Sequence, residues 1–380
     1  MSEQYDFIFA GGGLAGLSLA YHLIQSDLRH RSILMIDQQP KDRNDRTWCF
    51  WANQPTLFDE IVWRSWDRLR IRSAGSERTI ELQDYRYKMI RGIDFYRFAQ
   101  SALASRGNVE FVQGRVDRIE DTASSVRVSV GDRVYGGSWA FDSRFNLSDF
   151  QPDPSRYHYL RQHFKGWLIE TPHNAFDPQA ATLFDFRTDQ KTDFRFFYTL
   201  PFSERQALIE YVLLRGDDYD REITTYIETV LGIQDYHILA REGGVNPLTD
   251  YRFARRIGKR TMTIGTLGGR VKPTSGYAFA RIQQDSAAIV RALLETGNPF
   301  NVPSDSRYYR LCDALMLQLM YRQCAQVPGL FIQMFANNPI KRVLRFLDES
   351  ASPRENVALM AALPPALFLQ ALVRQVLHQI

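Results

Sequence analysis

The sequence predicts an α/β protein in which a Rossmann-like domain with a parallel sheet is joined to an antiparallel-sheet domain and a helical C-terminal region. Three observations support this fold class. A glycine-rich turn near the N-terminus separates a buried strand from an apolar helix, and strands rich in aromatic residues occupy the middle of the chain. After about Pro303 the apolar residues follow helical spacing, and prolines interrupt them repeatedly.

The amino-acid composition is that of a globular protein. Of the 380 residues, 44% are hydrophobic and 24% are charged, and the formal net charge is +4. Disordered chains are less apolar and carry more net charge. The cysteines, Cys49, Cys312 and Cys324, form no CxxC pair, so we expect neither a metal site nor a disulfide framework. We also expect no nucleic-acid partner.

The first structural unit is a predicted βαβ crossover. Residues Tyr5–Ala10 predict a buried strand, Leu17–Gln25 has the spacing of a helix, and Ser32–Asp37 predicts a second buried strand. Because such crossovers join parallel strands and are almost always right-handed, these segments open a parallel sheet. No signal peptide precedes the first strand, which predicts a cytoplasmic location.

The glycines after the first strand match the dinucleotide fingerprint GxGxxG. Gly11 permits a tight turn, Gly13 lets the backbone approach a pyrophosphate, and Gly16 allows the helix to pack closely on the strand. The helix N-terminus adds N–H donors and a positive dipole end. Asp37 ends the second strand about 20 residues later, where an acidic residue binds ribose hydroxyls. The predicted dinucleotide contacts are Gly11, Gly13, Leu14, Ala15, Gly16 and Asp37.

Further elements follow along the chain. The predicted strands are residues 108–114, 115–120, 125–130, 133–135, 139–142, 194–200, 207–214 and 261–265, and the predicted helices are residues 219–231 and 276–295. The turn Pro201–Glu204 joins two of these strands in a hairpin. We predict a discontinuous nucleotide-binding domain (residues 1–150 and 245–300), a substrate domain (residues 151–244) and a helical region (residues 301–380).

A second glycine turn comes late in the sequence. Gly265 and Gly268 follow a predicted strand, and the segment Lys272–Gly276 precedes a long predicted helix. In two-domain flavoproteins such a return brings a helix N-terminus to the flavin ring, where its dipole stabilises negative charge on the reduced ring. This arrangement favours FAD over NAD as the bound dinucleotide, with Gly265, Gly268 and Gly276 among its contacts.

Taken together, these motifs resemble the flavoprotein lycopene cyclases of bacteria and plants. The resemblance extends from the N-terminus to roughly Leu294. It rests on the order of the segments 7–20 (FIFAGGGLAGLSLA), Arg46–Trp51, Met89–Tyr96, Asp142–Arg144, Gln162–Trp167, 194–203 (FRFFYTLPFS), 208–211 (LIEY), Glu242–Pro247 and Gly268–Tyr277.

The resemblance implies an activity and its cofactors. The reaction would close rings at the ends of linear lycopene, giving the β-rings of γ-carotene and β-carotene with no net redox change. It would require noncovalently bound FAD in its reduced form, with NAD(P)H as the source of electrons. Arg46, in the segment RTWCFW, is included among the predicted cofactor contacts.

The chemistry of cyclisation selects candidate catalytic residues. An alkene is a poor base, so a well-placed acid is needed. Glu210 interrupts the apolar run Ala207–Leu214, where burial would keep a carboxyl protonated, and the resemblance puts the family's essential acid on the equivalent strand. Glu242 is either a second acid or base or a structural partner of a nearby arginine. Aromatic faces would stabilise the cation, and the predicted substrate contacts are Trp48, Phe50, Trp51, Phe197, Tyr198 and Tyr211.

A membrane surface is an expected partner because lycopene is a hydrocarbon. No apolar run reaches the roughly 20 residues of a membrane-spanning helix, so we expect peripheral attachment. The apolar segments Leu311–Met320 and Pro365–Leu377 fit either a membrane contact or a core. The basic cluster Lys341, Arg342 and Arg345 is either a solvated face or a site for anionic lipid headgroups.

Other functions fit the same fold. An FAD-dependent monooxygenase or hydroxylase would share the cofactors, although many FAD hydroxylases have Gly-Asp where this chain has Gly265-Thr266. A prenyl reductase would saturate double bonds of an apolar lipid. A non-enzymatic, flavin-bound carotenoid carrier would need no catalytic acid.

Overall fold

The computed structural model describes residues 4–122, 124–190, 193–216 and 218–378. Its strands are β1 (Gln4–Ala10), β2 (Ile33–Asp37), β3 (Thr47–Ala52), β4 (Arg64–Trp66), β5 (Arg68–Ser73), β6 (Ser76–Glu81), β7 (Arg86–Arg91), β8 (Val109–Gln113), β9 (Arg118–Asp121), β10 (Val126–Val130), β11 (Arg133–Asp142), β12 (Tyr159–Glu170), β13 (Ala180–Asp185), β14 (Arg195–Pro201), β15 (Gln206–Leu213), β16 (His237–Thr249) and β17 (Thr261–Thr263). Its helices are α1 (Leu14–Ile24), α2 (Gly92–Ala104), α3 (Tyr219–Thr225), α4 (Phe279–Thr296), α5 (Arg307–Arg322), α6 (Val327–Asn337), α7 (Ile340–Leu347), α8 (Pro353–Ala361) and α9 (Pro365–His378).

The first sheet is built on the predicted βαβ crossover. Strands β8, β2, β1 and β11 lie side by side and are parallel, and β10 and β9 extend the sheet in antiparallel fashion. The first half of β11 pairs with β10 and its second half pairs with β17. The sequence analysis predicted two separate strands here, but β11 is one long strand whose two halves have different neighbours. Helices α1 and α4 pack together on one face of this sheet.

The second sheet has the order β16-β12-β15-β14-β13-β5-β6 and is antiparallel except for the pair β13–β5. One face packs against the C-terminal helices α5 to α9. The other face packs against α3 and the π-helical turn Tyr226–Val230 that continues it. Both faces of the central strands are thus buried, which explains their nearly continuous apolar sequences.

A small third sheet, β3-β7-β4, joins the two cores. Phe50 and Ile90 belong to the core of the first sheet, whereas Trp51, Trp66 and Tyr87 belong to the core of the second. The predicted division of the chain needs one correction here. Strands β5 and β6 belong to the second sheet, although they fall within residues 1–150. They join it because β5 pairs in parallel with β13, which lies far along the sequence.

The C-terminal region is helical, as predicted, with breaks at Pro339, Pro353 and Pro365. Within the part of the chain that the structure describes, no single helix is long and apolar enough to cross a membrane. The helix pair Pro353–Ala361 and Pro365–Arg374 meets the length and composition requirements only when taken together, and it is bent by 107°.

Candidate active site

One continuous cavity of about 610 Å³ runs from the N-terminus of α1 to the C-terminal helices. Its polar end is formed by the glycine turn, with Gly13, Leu14 and Ala15 in the wall. Its apolar end is formed by side chains of α6 and α9, among them Met334 and Phe368. Strands β3, β14 and β15 form the walls between these ends. The cavity therefore combines a dinucleotide-type turn with an apolar chamber.

The first glycine turn has the geometry that the fingerprint predicts. Gly11 has a φ of +111°, which side chains rarely allow, and a Cβ on Gly16 would lie 2.0 Å from the Gly11 carbonyl oxygen. A Cβ on Gly13 would meet nothing within 4 Å. Gly11 and Gly16 thus shape the turn, and Gly13 leaves open space in front of the helix N-terminus.

Asp37 lies beside this turn at the end of β2. Its Oδ2 accepts a hydrogen bond of 2.6 Å from the N–H of Gly12, and its Oδ1 accepts one of 2.8 Å from the N–H of Gln39. The side chain remains 20% exposed. Asp37 therefore supports the glycine turn, and its carboxylate remains partly exposed beside it.

The second glycine turn meets the first across the cavity. Gly265 has a φ of +62° and a Cβ there would lie 2.7 Å from the Cβ of Ala15, while Gly276 has a φ of +77°. Both glycines line the cavity, as does Arg46, which donates to the carbonyl oxygens of Asp45 and Gly243.

Gly268 lies outside the cavity wall, so its predicted role as a cofactor contact is corrected. A Cβ on Gly268 would lie 2.5 Å from Arg255 Nη1 and 2.7 Å from the Thr263 carbonyl oxygen. Its N–H donates to the carbonyl oxygens of Ile264 and Gly265. The position requires glycine because the turn packs closely on itself and not because a ligand approaches.

Two carboxyl groups lie close together beside the cavity, and that of Glu210 lines it. Glu210 on β15 and Glu242 on β16 both stand opposite Gly166 of β12, one on each side. A Cβ on Gly166 would lie 2.8 Å from Glu210 Cγ, so the missing side chain leaves the gap in which the carboxyls approach each other. Oε2 of Glu242 accepts a hydrogen bond of 2.8 Å from Thr47 Oγ1.

The surroundings of Glu210 keep its carboxyl protonated. Glu242 lies beside it, and the buried Oε1 of Glu242 has no hydrogen-bond partner among the residues that the structure describes. Burial raises the pKa of Glu210 well above its usual range, and the neighbouring carboxyl of Glu242 raises it further. Glu210 is therefore a carboxylic acid near neutral pH, and it lines the cavity.

A chain of hydroxyl groups lies next to this pair. The hydroxyl of Tyr87 is hydrogen-bonded to that of Tyr198 and, at 2.5 Å, to that of Tyr277. Tyr198 stands directly opposite Glu210 on the neighbouring strand. The Cys49 thiol contacts the hydroxyls of Tyr87 and Tyr198, and burial raises its pKa, so it is a neutral thiol.

Four of the predicted substrate contacts line the cavity, namely Trp48, Phe50, Trp51 and Tyr198. The other two, Phe197 and Tyr211, lie on the opposite face of the sheet and stack on each other and on Tyr226. Their assignment is wrong because neighbouring residues of a strand point to opposite faces. Tyr198 and Glu210 face the cavity, so Phe197 and Tyr211 cannot.

Several residues of the site were not assigned from the sequence. Gly166, Tyr87, Tyr277, Lys272 and Asp348 all surround or support the cavity. Gly166 had a sequence signal, since it is a glycine within an apolar strand, which indicates close approach of a neighbour. Asp348 had none, because it follows a short amphipathic helix far along the chain.

Sequence comparisons match the chain to carotenoid enzymes. It is 26% identical over 292 residues to the lycopene beta-cyclase of Pantoea ananas, covering 73% of this chain and 72% of that protein. It is 23% identical over 346 residues to the chloroplastic neoxanthin synthase of Solanum tuberosum, covering 82% of this chain. That alignment spans 65% of the potato protein, just under two thirds of its length.

Solved structures confirm the predicted fold class. The flavin-dependent brominase Bmp2 superposes with a TM-score of 0.65 at 14% identity, covering 98% of each chain. The halogenase PltM in complex with phloroglucinol and FAD superposes with a TM-score of 0.58 at 11% identity, covering 99% of this chain and 91% of PltM. At such identities the likeness concerns the fold alone.

The family assignment rests on a match over nearly the whole sequence. The protein family described as "Lycopene cyclase protein" matches residues 6–373. The match continues well beyond Leu294, where the resemblance of the sequence motifs ended, and includes helices α5 to α8. The chain therefore belongs to the lycopene cyclase family.

Proposed function

We propose that this protein is a lycopene β-cyclase, which closes the ends of linear lycopene to β-rings. The observation that carries the proposal is the buried carboxyl of Glu210, with Glu242 beside it, in the wall of an apolar cavity that begins at a dinucleotide turn. Such a cavity can hold a hydrocarbon and an acid together, as proton transfer to an alkene requires.

FAD is the proposed cofactor, bound without a covalent link, and NAD(P)H the proposed reductant. The open space at Gly13, the helix N-terminus behind it and the carboxylate of Asp37 would hold the adenosine diphosphate part. The loop with Gly265 and Gly276 would lie at the ring. When bound and reduced, the flavin would supply negative charge near the developing carbocation.

The residues of the chain account for the ring closure. Glu210 donates its proton to the terminal double bond, which leaves a tertiary carbocation. The next double bond attacks this cation and closes the ring, and loss of a ring proton then restores neutrality. No electrons are gained or lost. Trp48, Phe50 and Trp51 present aromatic faces to the cavity, each able to stabilise a nearby cation by roughly 0.5–2 kcal/mol.

The proposal is tested by anaerobic incubation of the purified protein with lycopene, FAD and NADPH, followed by chromatography and mass spectrometry. A cyclase gives products of unchanged mass. A hydroxylase would give no product without oxygen, a reductase would give products of higher mass, and a carrier would return lycopene unaltered. Any of these three outcomes would contradict the proposed activity.

The Asp37→Ala variant should bind FAD about ten- to a hundredfold more weakly, since hydrogen bonds to a charged group contribute roughly 1.5–3 kcal/mol. Asp37→Asn keeps an oxygen that can accept from the Gly12 N–H, so it should lose less. Asp42→Ala, which removes an exposed acid nearby, is the matched control. Titration of the apoprotein with FAD measures all three, and equal affinities would show that Asp37 is not a ribose ligand.

We also propose peripheral attachment of the protein to a membrane through helices α8 and α9. Val357, Leu369 and Val373 are 70%, 60% and 58% exposed on these helices, while Met360 and Phe368 of the same helices line the cavity. An apolar outer surface directly above an apolar cavity gives a hydrocarbon a path from lipid into the site. The basic cluster Lys341, Arg342 and Arg345, for which the sequence left a solvated face or a lipid-headgroup site open, is largely engaged, since Lys341 pairs with Asp84 and Arg345 pairs with Glu355.

The double variant Leu369→Asp/Val373→Asp should lose binding to liposomes, because charged side chains are costly to insert into the apolar part of a bilayer. Flotation with vesicles of mixed neutral and anionic lipid measures the bound fraction. Phe111→Asp/Val134→Asp changes two apolar residues of similar exposure on the first sheet and should float like the unmodified protein. Equal flotation of both variants would exclude α9 as the attachment surface.

A further inference from the structure

Another carboxyl group, that of Asp348, lies in the wall of the cavity apart from Glu210. Asp348 directly follows α7, and its Oδ2 accepts a hydrogen bond of 2.6 Å from the indole N–H of Trp51. Its other oxygen, Oδ1, has no hydrogen-bond donor within residues 4–122, 124–190, 193–216 and 218–378. One oxygen is thus fixed and the other is free in the cavity.

The neighbouring acids are arranged differently. Glu349 is paired with Lys272 at 2.7 Å and with Arg281, and Asp313 is paired with Lys272 at 2.9 Å. The cations of this wall are therefore engaged by other carboxylates, and Asp348 forms no ion pair with any residue that the structure describes. If Asp348 served only to balance positive charge in this wall, we would expect it to form an ion pair with Lys272 or Arg281, as its neighbours do.

Several charged groups act on Asp348 from the surrounding elements. Burial raises its pKa to about 7, while the Trp51 hydrogen bond and the charges of Lys272 and Arg281 lower it and the charge of Glu349 raises it. Tyr85 also lies within range of the Asp348 charge. At neutral pH both the acid and the carboxylate forms are therefore populated.

Cyclisation needs a proton acceptor as well as a donor. After the ring closes, the cationic ring becomes neutral when a C–H bond next to the charged carbon gives its electron pair to a new double bond and its proton to a base. Glu210 becomes a carboxylate once its proton has gone to the terminal double bond, but the proton that must then be removed lies on a different carbon of the ring. A separate base in the same cavity would let the acid and the base act on different carbons.

We propose that Asp348 is this general base, taking the ring proton at its free Oδ1 while Trp51 holds Oδ2 in place. The inference rests on the proposed cyclase function. The proton balance closes over one turnover: Glu210 loses a proton to the substrate and regains one from solvent, and Asp348 gains a proton from the ring and releases it to solvent. No oxidant or reductant is consumed.

The test compares Asp348→Asn and Trp51→Phe with the unmodified, FAD-loaded enzyme, measuring lycopene cyclisation from about pH 5 to 9. A base must be ionised, so the unmodified enzyme should lose activity as the pH falls through about 7. Asp348→Asn should lower kcat by at least about a hundredfold with little change in KM. Trp51→Phe removes a hydrogen bond that stabilises the carboxylate, so its acid limb should move to higher pH.

The two ways of failing are distinguishable. If the unmodified enzyme gives no product of unchanged mass, the cyclase function fails and this inference falls with it. If it cyclises lycopene, and Asp348→Asn retains more than about a tenth of the rate, Asp348 is not the base. If Asp348 has only a structural role, both variants should melt at a lower temperature, and the fall in activity of Trp51→Phe at low pH should occur at the same pH as in the unmodified enzyme. That result would also overturn the proposal.

Discussion

Glu210→Gln should abolish cyclisation while FAD binding and flavin reduction persist. The amide has the shape of the carboxyl and can donate an N–H to the buried Oε1 of Glu242, which has no hydrogen-bond partner among the residues that the structure describes. It has no proton to give to an alkene. A general acid contributes about 10²–10⁴-fold in rate, and the loss should be at least that large.

The control for this variant is Glu204→Gln, at an exposed position in the turn that joins β14 to β15. It changes the same side chain in the same hairpin and should leave the rate unaffected. Retention of more than about a tenth of the activity by Glu210→Gln would exclude Glu210 as the acid. Glu242→Gln then becomes decisive: if it alone abolishes turnover, the proton comes from Glu242 and Glu210 is its partner.

The dependence on pH follows from the same pair. Burial and the neighbouring carboxyl raise the pKa of Glu210, and the acid must be protonated to act. Activity should therefore fall as the pH rises through the raised pKa of Glu210. Activity should also fall at low pH, where Asp348 becomes protonated, so the plot of activity against pH should be bell-shaped. In the Glu242→Gln variant only the fall at high pH should change.

Parts of the fold that depend on local pattern were predictable from the sequence. The βαβ crossover and its glycines were found because buried strands, helical spacing and GxGxxG all lie within a short stretch of the chain. Glu210 was found because a single acid stands out within an apolar run. The errors at Phe197 and Tyr211 have the same origin, because a strand buried on both faces conceals which residues point to the cavity.

Features that depend on pairing between distant segments were not predictable. β5 joins the second sheet through β13, and no property of the short β5 sequence indicates that partner. Asp348 meets Trp51 only because α7 folds back over β3. The role of Gly166 likewise depends on register, since its sequence position does not reveal that Glu210 and Glu242 flank it.

That register makes Gly166→Ala the sharpest structural test of the carboxyl pair. The added Cβ would lie 2.8 Å from Glu210 Cγ, closer than real Cβ atoms approach, and 3.3 Å from its Oε1, so the Glu210 side chain must shift from its position beside Glu242. Misplacement of a catalytic group by about 1 Å can cost about a hundredfold in rate. We therefore expect a loss of that order in cyclisation, with FAD affinity unchanged, because the glycine turns lie elsewhere.

Overpacking a strand also costs roughly 1–3 kcal/mol of stability, so thermal melting must accompany the rate measurement. Gly107→Ala adds the same methyl group where nothing lies within 4 Å, and it should change neither stability nor rate by much. A folded Gly166→Ala protein that cyclises lycopene at the normal rate would mean that contact between the two carboxyls is not required. The acid would then be Glu210 alone, kept protonated by burial, and Glu242 would serve only to bind Thr47.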